Sequence, residues 1–126
     1  MDLSPGLVGT AVMTVTPSDL STAFGSGDVP VVSTPRLVAL CEEATMAALD
    51  GALDDSSTSV GTRVEVDHIA PVGPGEQIEA RATLVQVGGR SLRFAVEATS
   101  DRGVIAAGTI RRVIVDRERF LGSLER

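Results

Sequence analysis

Residues 33–50 read STPRLVALCEEATMAALD, with Gly51 next. Ser33-Thr34-Pro35 has the signs of a helix start: a hydroxyl residue able to cap free N–H groups, and a proline in the first turn, where its missing N–H costs nothing. Nothing between Arg36 and Asp50 breaks a helix, and Gly51 stands where one would end. At about 100° per residue, Glu43 and Asp50 fall within about 40° of Arg36 and form one narrow polar line. Every other position from Leu37 to Leu49 is apolar except Glu42 and Thr45. A helix of this kind is expected to be buried over most of its circumference.

The surrounding sequence reads as strands. Upstream, Val8 to Val15 is a first strand, stopped by the turn residues 16–19 and followed by a short helical turn at Leu20 to Phe24. Downstream, the period changes to two. In Thr62 to Ile69, Val64, Val66 and His68 share one face while Arg63, Glu65 and Asp67 share the other. Ile78, Ala80, Ala82 and Leu84 repeat the alternation, as do Leu92, Phe94, Val96 and Ala98. Gly88-Gly89 and Asp101-Arg102-Gly103 supply the positive φ that tight hairpins need. The last strand, Val104 to Val115, is apolar on both faces in places and is expected to be central or to contact a second copy. Two loops interrupt the pattern, Gly25 to Pro30 and Asp54 to Ser59. A strand, a long helix and four hairpin-linked strands predict an α+β domain, one antiparallel sheet with the helix on a single face, over residues 1–126.

Composition narrows the function. The chain has 126 residues, 43% of them hydrophobic, enough for one core. It has no Trp, no Tyr and three Phe, so small aliphatic side chains must fill that core. All 11 bases are arginines, set against 17 acids for a net charge of −6. Without a basic run, neither nucleic acid nor an anionic membrane is an expected partner. One cysteine, Cys41, excludes an internal disulfide, and no stretch resembles a signal peptide or a spanning helix. A cytoplasmic location is expected.

Two residues break the apolar pattern. Glu42 falls about 120° from the polar line, between Leu49, Val38 and Met46, and so points into the core or a cleft opening from it. A carboxylate there is costly unless paired, and such carboxylates are often functional. It can equally satisfy a buried donor or an arginine from another strand. His68 lies on the apolar face of its strand, where a lone histidine is more often a satisfied core residue than a catalyst. Together they could form an acid/base pair for hydrolysis. Cys41 has no histidine or cysteine partner at a catalytic or metal spacing and reads as a buried thiol. Arg111 and Arg112 could meet phosphates, but a solvated strand edge explains them more simply.

Ser33-Thr34-Pro35 through Leu40-Cys41-Glu42, then Val60-Gly61-Thr62 and Asp67-His68-Ile69-Ala70-Pro71-Val72-Gly73-Pro74-Gly75, resemble the fluoroacetyl-CoA thioesterase-like branch of the hot-dog superfamily. The likeness runs from Val8 to about Leu121. It implies a hot-dog fold, a curved antiparallel sheet of about five strands wrapped around one long central helix. It also implies a homodimer or dimer of dimers joined edge to edge, with acyl-CoA sites at the interface. By the family's spacing, Thr34, Glu42 and His68 would be the catalytic set and Gly61 would place the reacting group. Ser33, Ile69 and Arg112 would line the substrate, with no metal and no cofactor. Continuous α-helix puts Thr34 about 12 Å along the axis from Glu42. Either the backbone bends before the helix or Thr34 meets the substrate separately; an N-cap role is the simpler alternative for Thr34.

The expected reaction is hydrolysis of a small or medium acyl-CoA to free acid and CoA. A hot-dog hydratase or dehydratase would use similar groups but leave the thioester intact, and a non-catalytic acyl-CoA-binding module would have no need of a buried carboxylate. The fluoroacetyl-CoA enzymes carry phenylalanines in a lid before the helix. Here that stretch is Gly25-Ser-Gly-Asp-Val-Pro30 with only Phe24 nearby, which argues against fluoroacetyl specificity.

Overall fold

A computed structural model describes residues 3–125. The period-two segments form strands and the apolar segment forms a helix, in the order β1 (Val8–Thr14), a 3-10 turn (Pro17–Asp19), α1 (Ser21–Phe24), α2 (Thr34–Leu49), β2 (Ser57–His68), β3 (Gln77–Gly88), β4 (Ser91–Ser100), β5 (Gly103–Asp116) and α3 (Arg117–Gly122). All five strands join one antiparallel sheet in the order β1-β3-β4-β5-β2. The sheet curls around α2, which is the hot-dog architecture.

The first turn of α2 is set by its sequence. Ser33 is the N-cap, its Oγ accepting the Arg36 N–H at 3.2 Å, with Pro35 in the first turn. Asp50 closes the other end and Gly51 takes φ 75°, a left-handed conformation that suits glycine. Leu37, Leu40, Cys41, Ala44 and Ala48 pack onto Ile78, Ala80, Ala82, Leu84, Phe94 and Val96, all buried. The alanines let the helix sit close to the sheet, and Gly9 permits the closest approach. A Cβ at Gly9 would lie 2.2 Å from the Ala48 nitrogen and 2.3 Å from the Ala44 carbonyl oxygen.

In three places the structure departs from the sequence reading, and in one, the second below, it decides between two readings. First, β2 starts at Ser57, five residues before the alternation becomes visible at Thr62, because the register shifts between Gly61 and Arg63. A bulge inserts one residue and inverts the phase, so the two halves of β2 show opposite alternation. Second, β5 lies between β4 and β2 and is paired on both sides. It is the central strand of the two readings left open above, and the strands with open edges are β2 and β1. Third, α2 is not buried all round. It packs chiefly on β1 and β3 and meets β2 sparsely, leaving Met46 45% exposed and Val38, Ala39 and Glu42 half-buried. Fourth, α3 follows β5, capped by the Asp116 carboxylate on the Arg119 N–H at 3.0 Å.

Because the atoms facing Gly9 are helix backbone, relief requires α2 to move as a body. Gly9→Ala is expected to destabilise the protein by about 3 kcal/mol or more, above the usual overpacking cost where side chains can yield. A urea-unfolding midpoint within error of the wild type would contradict this.

Candidate functional site

Five of the residues singled out from the sequence fall into two groups along α2. At its N-terminal end, Thr34 is the first helical residue and Ser33, not Thr34, is the cap. The Thr34 hydroxyl is free to turn outward, and its Oγ1 lies 2.8 Å from His68 Nδ1 on the last residue of β2. His68 Nε2 is 3.1 Å from the Ala70 carbonyl oxygen. A carbonyl can only accept, so this contact places the ring proton on Nε2 and leaves Nδ1 as the acceptor for the Thr34 O–H. The result is a hydroxyl bound to an imidazole whose tautomer is held by a third group, the arrangement that activates an oxygen nucleophile.

Two turns further on, Glu42 faces the inner side of β2 and β5. Its side chain is 38% exposed, and Oε2 lies 3.5 Å from Arg112 Nη1. Arg112 is only 6% exposed. It occupies the inner face of β5 between Ile110 and Ile114, and its Nε and Nη2 donate to Ser59 Oγ at 2.7 Å and Ser59 O at 3.0 Å. Burial pulls the Arg112 guanidinium below its ordinary value, and the Glu42 charge works in the opposite direction by favouring the cation. Gly61 completes the group: a Cβ there would come within 2.6 Å of Glu42 Oε2. Glycine is what allows the carboxylate to lie against β2.

Neither Thr34 nor His68 is hydrogen-bonded to Glu42. α2 is continuous from Thr34, so the backbone does not bend to bring Thr34 and Glu42 together. Of the expected substrate contacts, Ile69 is 62% exposed beside His68. Ser33 is fully buried and its hydroxyl is taken by the cap. Arg112 is neither on a solvated edge nor open to phosphate, since its guanidinium is committed inside the sheet. Arg111, its neighbour, is the exposed one. Burial, with Glu42 adding to it, pushes the Cys41 thiol up to about 11, so it stays protonated and unreactive at neutral pH. Ser59 escaped the sequence reading, although its position two residues before Gly61 on one strand face was a usable signal. Among the described residues, no cluster of His, Cys, Asp or Glu could hold a metal ion, and no helix is long and apolar enough to cross a membrane.

A hot-dog domain built on one long central helix, with a hydroxyl–imidazole pair and a carboxylate on the inner side of its sheet, fits the thioesterase class. The family model for fluoroacetyl-CoA-specific thioesterases matches residues 15–118, and the chain belongs to that family of acyl-CoA thioester hydrolases. The structure of the fluoroacetyl-CoA thioesterase FlK superposes with a TM-score of 0.91 at 27% identity, covering 98% of this chain and 96% of that one. A mutant of FlK in complex with fluoroacetate and CoA gives 0.86 at 28% identity, covering 94% and 99%. A Thermus thermophilus thioesterase superfamily member shares the fold at 24% identity, with a TM-score of 0.91 and coverage of 99% and 93%. No curated protein matches the chain.

Gly61→Ala is the local test of this geometry. The added methyl meets the movable end of a side chain and not backbone, so stability should change by less than about 1.5 kcal/mol. The displaced Glu42 carboxylate should cost at least about tenfold in kcat, read from CoA release beside a melting curve. Full activity with an unchanged melting temperature would show that the carboxylate does not need its place against β2.

Proposed function

We propose that this thioesterase hydrolyses small or medium acyl-CoA esters through Thr34, His68 and Glu42. The observation that carries the reading is the Thr34–His68 hydrogen bond, with His68 held in the accepting tautomer by Ala70. His68 takes the Thr34 proton as the hydroxyl oxygen attacks the thioester carbonyl. The same proton passes to the CoA sulfur as the C–S bond breaks, leaving an ester on Thr34. Water, deprotonated by Glu42, then attacks that ester; the acyl–Oγ1 bond breaks, the acid leaves, and the proton taken up by Glu42 returns through solvent to restore the Thr34 hydroxyl. A second reading has Glu42 activate water directly while Thr34 and His68 polarise the carbonyl; it is favoured by the exposure of the Glu42 carboxylate. CoA release monitored with a thiol reagent separates hydrolysis from hydration or from binding alone. Across a panel of acyl-CoAs, no strong preference for fluoroacetyl over acetyl is expected, since Phe24, 47% exposed, is the one aromatic before α2.

Glu42→Gln keeps shape and removes the base, so steady-state kcat should fall by at least about a hundredfold. Glu43 is exposed and pairs with Arg36 at 3.2 Å, so Glu43→Gln should change stability by less than about 1 kcal/mol and leave turnover near wild type. In single-turnover experiments, a burst of CoA retained by Glu42→Gln supports the ester on Thr34, and loss of the burst supports direct attack by water. Equal steady-state rates for the two variants would refute the assignment of Glu42.

The minimal unit is proposed to be a homodimer, or two such dimers, in the cytoplasm. β2 is a twelve-residue open edge, and beside it the half-buried Val38, Ala39 and Glu42 and the exposed Met46 form an uncovered strip on α2. Long open edges invite pairing unless they are covered. Sedimentation should give a dimer or larger at assay concentration, and a fully active monomer would overturn this.

A further inference from the structure

The Ala70 carbonyl that accepts from His68 Nε2 lies beyond the end of β2, in the loop that leads to β3. No helix or sheet ladder sets its direction, yet the accepting tautomer of His68 depends on it. The end of the β4–β5 hairpin holds the chain on both sides of this oxygen. On the near side, Ile105 O accepts the amides of Ile69 at 2.7 Å and Ala70 at 3.3 Å. Ile105 is spare for this because it is the extra residue where the register shifts: Ala98 pairs with Ala106 and Thr99 with Val104. On the far side, Arg102 Nη2 donates to Pro71 O at 3.2 Å. The same nitrogen meets both Glu76 carboxylate oxygens at 2.8 Å, and Glu76 Oε2 accepts the Gly73 N–H at 2.7 Å. Arg102 and Glu76 together staple the loop 71–76 to the hairpin.

We infer that Arg102 is a positioning residue for the reaction, acting through the Ala70–Pro71 peptide to keep the His68 ring proton on Nε2; the inference rests on His68 accepting the Thr34 proton. The proline makes the coupling stiff. The peptide plane that carries Ala70 O ends at the Pro71 nitrogen, whose φ is locked by the ring. Only the Pro71 ψ torsion then separates that plane from the Pro71 carbonyl, which Arg102 holds. With the Ala70 amide fixed at Ile105 and the Pro71 oxygen at Arg102, the Ala70 oxygen between them has one place to lie. Released at Pro71, the plane swings, Nε2 loses its acceptor and the ring proton is free to move to Nδ1. That tautomer donates to Thr34 Oγ1 and has no lone pair left on Nδ1 to take the hydroxyl proton. The Arg102 side chain is 59% exposed and that of Glu76 34%, so the pair adds little to stability and variants at Arg102 should fold.

His68 is the one histidine of the chain, so nitrogen-15 NMR of the labelled ring reports its tautomer directly. The test compares the wild type, Arg102→Ala, Arg102→Lys and Glu43→Gln by this spectrum at about pH 9, above the ordinary imidazole range, and by CoA release from acetyl- and butyryl-CoA. The wild type and Glu43→Gln should show the Nε2–H tautomer alone. Arg102→Ala should show both tautomers and lose at least about tenfold in kcat, with KM within about twofold of the wild type. Arg102→Lys keeps a cationic donor for Pro71 O and Glu76 and should restore kcat to within about threefold of the wild type. A spectrum of Arg102→Ala as clean as that of the wild type would overturn the inference, whatever the rate. Mixed tautomers with an undiminished rate would uphold the hold on the ring and overturn instead the reading in which His68 takes the Thr34 proton. Failure of the wild type to release CoA would overturn the hydrolytic reading, and the spectra would still decide whether Arg102 sets the tautomer.

Discussion

Among the described residues one cation sits inside this sheet, and the arrangement around Glu42 follows from the need to match it. Arg112 has Ile110 and Ile114 as its neighbours on the inner face of β5, all three buried. A guanidinium there would be prohibitively costly without partners. Ser59 takes two of its donors from one side and Glu42 faces it from the other. That requirement fixes which way α2 is rotated, because only one residue of its length brings a carboxylate to Arg112. It also fixes Gly61, since any larger residue would push that carboxylate away. The pair is half-open to solvent through Glu42, so its net worth to stability is modest. Its effect is one of placement.

The helix, the strand alternation and the hairpins were legible because each is a local pattern: an apolar run bounded by Ser33 and Gly51, and period-two faces in β3 and β4. The first half of β2 was not, because the bulge between Gly61 and Arg63 reverses the phase and hides Ser57 to Ser59 as apparent loop. For β5 the sequence left two readings open, a central strand or one in contact with a second copy, and the structure shows the first. An apolar strand looks the same whether its second neighbour belongs to its own chain or to another copy. Arg112 could have been placed correctly, since it lies in period two between Ile110 and Ile114, but two adjacent arginines suggest solvent unless their faces are separated.

The site shows the same division. Glu42 stood out by its angle on the helix and His68 by its face on the strand, and those features survive in the structure as an inward-turned carboxylate and an imidazole against the helix start. What the spacing did not convey is who meets whom. The step of eight positions from Thr34 to Glu42 separates them along a straight axis. Thr34 instead finds His68, thirty-four positions away, because β2 follows α2 and runs back along it, from Ser59 beside Met46 to His68 beside the beginning of the helix. Long-range partners of this kind depend on topology, which local periodicity does not encode.

The bulge in β2 joins two stretches of opposite parity into one inner face. Before it, the odd-numbered residues Ser59 and Gly61 look inward; after it, the even-numbered Val64, Val66 and His68 do. Thr62 is the residue that makes the change, so its loss would restore regular pairing and leave both stretches facing inward, whereas the loss of a residue elsewhere in β2, with the bulge kept, would turn the chain beyond it over. When two relatives are aligned through this region, the column in which a single gap falls therefore decides its meaning. At position 62 it straightens a strand; elsewhere it exchanges an inside for an outside.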